Sequence, residues 1–279
     1  MHRASAIRIA ALAGVLIAAT IHAGAAGDMT YPDWEGQWLR IGGGGGLDPA
    51  KPAGRAQQPP FTPEYQAIWE AHLADSQAGG QRYNPQIHCL PSGMPRMMMA
   101  YDPMEVVVTP NTTYVQLTYD NEFRRIYTDG RDWPADMEPS FAGYSIGKWI
   151  DQGGSGRYDV LEVETRGLRG PRVFDGLGTP MHEDNQTIIK ERIGLDKSDP
   201  NVLHNEITTI DHAFTRPWTI TRSYSRDRHQ LWVENICHVS NQYRIIGDDT
   251  FMVSMDGYLM PLRKGQRPPD LRYFDQSEK

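Results

Sequence analysis

The sequence predicts an all-β fold, an antiparallel β-barrel preceded by a single N-terminal helix. Three observations carry that expectation. From Ile87 onward, β-branched and aromatic residues fall in short runs separated by Gly, Pro, Asp and Asn. Only one stretch, beginning at Thr62, carries helix start signals. No helices stand between the strand candidates, as a parallel α/β sheet would need.

The chain begins with Arg3 and Arg8 around an apolar run, Ile9 to Ala19, of 11 residues, and then Ala23-Gly24-Ala25. A basic start, a short apolar core and a small-residue cleavage pattern read as an export signal spanning residues 1–25. A bilayer core needs about 20 apolar residues, so the run is too short to act as an anchor. Export places the mature chain, roughly 250 residues, in the periplasm or outside the cell, and that length suits one large β domain.

Residues 26–85 read as a linker and helix. Tyr31 to Trp38 is short and aromatic, and Gly42 to Gly46 with the Pro- and Ala-rich stretch up to Pro60 reads as a connector. No Lys-Ser/Thr follows the glycines, so they do not form a phosphate loop. Thr62 is placed as an N-cap before Pro63 at the first helical position and Glu64 in the first turn. The helix should run to about Asp75, with Tyr65, Ile68, Trp69 and Leu73 on one face.

Residues 86–279 are assigned to the barrel. The strand candidates are Glu105 to Thr109, Thr113 to Tyr119, Phe123 to Thr128, Tyr158 to Thr165, Thr187 to Ile193, Leu203 to Ile210, Trp218 to Tyr224, Leu231 to Ile236 and Phe251 to Tyr258. Leu161 and Val163 alternate with Glu162 and Glu164, as on a sheet with one wet and one buried face. About nine such strands suit a lipocalin-like antiparallel barrel.

Composition narrows the partners. The formal net charge of −7 becomes more negative once the two signal-segment arginines are removed. Acids are interleaved with the basic residues, so neither a nucleic acid nor an anionic membrane surface meets the basic face it requires. No stretch is long enough to insert into a membrane, and oligomeric state is not legible. The two cysteines, Cys89 and Cys237, meet an oxidising compartment that favours a disulfide. In the chain-entropy picture, closing a loop of roughly 150 residues contributes about 4–5 kcal/mol. Two buried thiols are the alternative.

Several segments carry a resemblance. Tyr127-Thr128-Asp129-Gly130-Arg131, Gly143-Tyr144-Ser145-Ile146-Gly147-Lys148-Trp149, Cys89 to Arg96 and Phe214 to Thr219 are similar to a large, mostly uncharacterised family of exported bacterial proteins. The resemblance extends over most of the chain after Phe61, with the Thr62-Pro63-Glu64 start, Glu191-Arg192 and Thr208 to Asp211. It implies export and brings no activity. The family pattern has His where Tyr144 stands and Trp-Glu-Gly-Asp where Trp149-Ile150-Asp151-Gln152 stands, so roles at those positions do not carry over.

The candidate site residues follow from residue chemistry. His182, with Glu183 and Asp184 beside it to fix its tautomer, is the first candidate acid/base; Tyr144 and Asp211 are the second and third. Asp129 and Arg131 flank Gly130 in a turn. The structural reading, a carboxylate–guanidinium pair locking the turn, outweighs the alternative of a pair orienting a ligand. With Tyr127, Trp149 and Met98 they form the expected binding surface for a small hydrophobic molecule bearing a hydroxyl or carbonyl. The 12 methionines and 7 tryptophans are more often core filling than a ligand wall. The 9 histidines show no His-x-x-x-His or His-Glu-x-x-His spacing, so no metal is expected, and no cofactor fingerprint is present. No Gly-x-Ser-x-Gly elbow supports serine hydrolysis. Cofactor-independent lyase, dehydratase or isomerase chemistry and non-catalytic carriage of a hydrophobic molecule are the two functional expectations.

Overall fold

The structure, a computed structural model, describes residues 30–42, 57–80, 83–99, 102–229, 231–233, 235–237, 243–254 and 257–268. The segment read as an export signal and most of the Gly- and Pro-rich connector lie outside the described residues. The chain is mostly β. Nine strands close into a barrel in sequence order: β1 (Gln37–Arg40), β2 (Met104–Val108), β3 (Thr112–Leu117), β4 (Phe123–Tyr127), β5 (Tyr144–Ile150), β6 (Val160–Arg166), β7 (Ile188–Leu195), β8 (Val202–Ile210) and β9 (Trp218–Asp227). A separate three-stranded sheet follows, β10 (Tyr243–Ile246), β11 (Asp249–Val253) and β12 (Leu259–Pro261).

The expectation of a purely antiparallel barrel is corrected at one seam. β4 and β5 run parallel, Ile126 facing Ser145 and Tyr127 facing Ile146. The reason is parity: strands that alternate in direction close into a ring only when their number is even, so a nine-stranded barrel must contain a parallel pair. Residues 128–143 supply the return crossover without a helix. The closing strand, β1, comes from the aromatic segment read as linker and pairs with both β2 and β9. Leu231–Ile236 is not a strand in its described residues; Asn235 makes a single bridge to Tyr119.

The helix α1 (Pro63–Gln77) starts as the sequence predicts. Thr62 Oγ1 accepts the Tyr65 amide at 3.4 Å, and Pro63 occupies the first turn, where a missing N–H costs nothing. Trp69 is its buried residue, with Phe61 at 6.3 Å between ring centroids and Phe214 beyond it. The Cys89–Cys237 disulfide is present, spanning 148 residues. Among the described residues no helix is long and apolar enough to cross a membrane.

The barrel interior is filled. Five consecutive strands each contribute a polar side chain to one buried layer: Arg124, Ser145, Thr165, Glu191 and Asn205. Arg124 reaches Glu191 through both terminal nitrogens, one at 3.2 Å from Oε1, and donates to Ser145 Oγ at 3.1 Å and Thr165 Oγ1 at 2.8 Å. Asn205 donates to Glu191 Oε1 at 2.9 Å. Charge and hydrogen-bond geometry are thus matched, the condition under which an ion pair survives burial. Apolar side chains, among them Trp34, Met98, Met104, Ile126, Leu161 and Leu203, surround a residual cavity of about 10 Å³, room for at most one water. Gly147 faces inward where a Cβ would lie 2.7 Å from Ile126 Cγ2, so even a methyl group there would force a shift.

Replacing Glu191 by Gln leaves the Arg124 guanidinium buried and uncompensated, and urea unfolding should show a loss of about 3–5 kcal/mol. Replacing both residues with Met should recover most of that loss.

Candidate functional site

Polar and titratable side chains also gather in the loops at one end of the barrel. β6 and β8 end, and β7 and β9 begin, at one end of the barrel, so the connections 167–187 and 211–217 leave it side by side. The buried carboxylate of Asp211, directly after β8, joins them. It accepts the His182 amide at 2.9 Å, the Ala213 amide at 2.8 Å and the Thr187 hydroxyl at 2.6 Å. Arg172, only 2% exposed, donates one terminal nitrogen to both Thr187 Oγ1 and the His182 carbonyl. Burial pulls the Arg172 pKa below its usual value, an effect that the nearby charges of Asp211, Asp184 and Glu183 oppose.

This scaffold presents His182, Asp184 and His212 at the surface. His182 Nδ1 lies 3.3 Å from Asp184 Oδ1, and His212 Nδ1 contacts Asp184 Oδ2. The two imidazoles meet edge to face at 5.6 Å, and the three potential ligand atoms lie within 4.8 Å of one another. The cluster opens to solvent, with side-chain exposures of 37% for His182, 25% for Asp184 and 67% for His212. Tyr65 of α1 borders it, 5.7 Å from the His182 ring. Burial pushes the Asp184 pKa up, but the Gln186 amide, the His212 hydrogen bond and the two imidazoles outweigh it and hold the carboxyl below its usual range. His182 Nδ1 accepts the Asp184 amide at 3.2 Å, which occupies its lone pair and leaves Nε2 as the ring nitrogen that a ligand would meet.

The expectation of no metal rested on spacing within the sequence; here two loops, not one helix or strand, bring the three side chains together. His182 and Asp211 lie side by side, joined through the His182 amide. The other candidates lie elsewhere. Tyr144 and Tyr127 point outward from β5 and β4, their rings 5.0 Å apart, with the Arg131 guanidinium 3.8 Å from the Tyr127 ring centroid. Arg131 also holds both Asp129 oxygens, at 2.9 and 2.6 Å, the turn-locking arrangement. Trp149, at the far end of β5, packs among Tyr31, Trp34 and Tyr158. Met98 is core, its carbonyl accepting the Tyr224 hydroxyl at 2.6 Å. Tyr144, Trp149 and Met98 therefore do not line a common cavity with His182, because strand alternation and end packing send their side chains in different directions.

Sequence reasoning had Asp184 beside His182 but missed His212 as their shared partner, and Arg172 and Thr187 as supports. The available signal was that His182-Glu183-Asp184 and Asp211-His212 both sit in connections leaving one barrel end. Neither a known family model nor a curated relative matches the chain.

Asp211→Ala removes an acceptor from three donors. Thermal and urea unfolding should register a loss of about 2–3 kcal/mol, and hydrogen exchange at the His182 and Ala213 amides should accelerate.

Proposed function

We propose that this is an exported barrel protein that acts on a small hydroxylated or carbonyl-bearing molecule at its loop end, using a divalent metal ion held by His182, Asp184 and His212. The observation that carries this reading is the convergence of two imidazoles and one carboxylate at an open surface. Two nitrogens and one oxygen form a donor set suited to zinc or to ferrous iron, with further positions open to water and substrate. A bound ion would act as a Lewis acid toward a carbonyl or hydroxyl oxygen and acidify a bound water. The chain's own residues supply the rest. Asp211, Thr187 and Arg172 hold the His182 backbone, and Tyr65, its ring 5.7 Å from that of His182, would supply a hydroxyl to a substrate oxygen.

Export is supported by the signal-like N-terminus and the disulfide. Membership of the exported family, on the Thr-Asp-Gly-Arg and Gly-Tyr-Ser-Ile-Gly segments, is part of the same proposal. Lipocalin-like carriage of a hydrophobic molecule, the second reading, would need an interior volume of hundreds of Å³; the cavity beside Asn205 and Tyr224 holds about 10 Å³.

Titration calorimetry of the mature, metal-stripped protein should show one Zn²⁺ bound per chain. His182→Ala and His212→Ala should each weaken binding about 100-fold or more, with circular dichroism unchanged. Equal Zn²⁺ affinity in wild type and in the double variant would remove the metal centre from the proposal.

A further inference from the structure

A second group of polar side chains converges at the same end of the barrel, in the connections β1–β2 and β3–β4 and the loop around Gly176. A cleft of about 90 Å³ is lined there by Gln86, Ser92, Arg96, Asp102, Tyr119 and Gly176, with Met99 behind them. Arg96 is 7% exposed, yet its guanidinium donates only to neutral amide oxygens, Asn84 Oδ1 at 2.8 Å and Gln86 Oε1. Among the described residues no carboxylate lies within the 4.0 Å ion-pair distance of it. The nearby acids are occupied with backbone. Glu122 accepts the amides of Ser92 and Gly93, and Asp175 those of Leu177 and Thr179.

The same cleft's lining also holds a carboxylate, Asp102. It is half-buried, its own amide is the one hydrogen-bond donor to it among the described residues, and burial raises its pKa. Burial likewise pulls Arg96 below its usual value, an effect that the charges of Asp175 and Glu122 oppose without ion-pair contact, and pushes the Tyr119 hydroxyl up to about 12. A desolvated charge without a matching partner is costly. Here a cation and an anion that do not pair with each other both line one small cleft. A ligand bearing both charges on adjacent atoms would relieve both; a simple anion would serve only Arg96 and a simple cation only Asp102.

We propose that this cleft binds a small zwitterionic α-amino acid, its carboxylate on Arg96 and its ammonium group on Asp102. A cleft of about 90 Å³ favours the smallest amino acids, glycine, alanine and serine, over leucine or tryptophan. The Tyr119 hydroxyl is placed to donate to the ligand carboxylate. This site shares no residue with the His182 cluster and does not depend on a metal there.

The test uses the mature, disulfide-intact protein in thermal unfolding and calorimetry. Glycine, alanine or serine at about 10 mM should raise the Tm by about 2 °C or more, while acetate, methylammonium and leucine should give less than half that shift. Asp102→Asn should abolish the response and Arg96→Gln should do the same. Because Arg96 is buried and its variant can fail to fold, the half-exposed Asp102 carries the decisive comparison. His182→Ala should respond like wild type, separating this site from the metal centre. No shift with any of the three small amino acids, an equal shift with acetate, or an undiminished shift in Asp102→Asn overturns the proposal.

Discussion

The buried pair of Arg124 and Glu191 is the constraint on which the rest depends. A β-barrel offers its interior, its outer face and its ends as places for a site. Here the interior holds a charged pair whose hydrogen bonds are shared with Ser145, Thr165 and Asn205, one residue from each of five neighbouring strands. Such a layer ties the strands together, and a cavity beside it among the described residues holds about 10 Å³. The clustered histidines stand in the loops instead. The parallel seam between β4 and β5 follows from the same closure, because nine strands cannot alternate around a ring.

Loops are poor platforms unless something fixes them. Asp211 does so at one end of this barrel, where three donors from two connections meet a single carboxylate. Arg172 reinforces it from below. Through these contacts the end of β8 determines where His182 stands, and His212, the residue after Asp211, arrives beside Asp184. The cluster inherits its geometry from strand ends separated in sequence but adjacent in the sheet.

Much of the architecture was legible in the residues. Thr62-Pro63-Glu64 announces the helix, and alternation at Leu161–Glu164 announces a barrel wall. The seven strands from β2 to β9 that the sequence predicts fall within a few residues of their candidate runs, while β5 was missed. Its sequence, Tyr-Ser-Ile-Gly-Lys-Trp-Ile, contains an inward glycine and read as a motif. β1 was hidden because four residues beside a Gly run look like linker. The parallel pair was hidden because its crossover has no helix to mark it. Of the site, His182 and Asp211 were visible as titratable groups between strands. Asp184 was visible beside His182, but its contact with His212 was not, since the two meet only through the pairing of β7 with β8, and no spacing along the chain encodes a contact made across a sheet.

The central claim is that loop convergence at His182, Asp184 and His212, rather than a barrel cavity, provides the reacting centre. X-ray absorption at the zinc edge, on protein loaded with one equivalent of Zn²⁺, tests it most directly. The account predicts imidazole scattering from two histidines and a first shell of nitrogen and oxygen at about 2.0–2.1 Å. A shell of oxygen alone, without imidazole scattering, would contradict it.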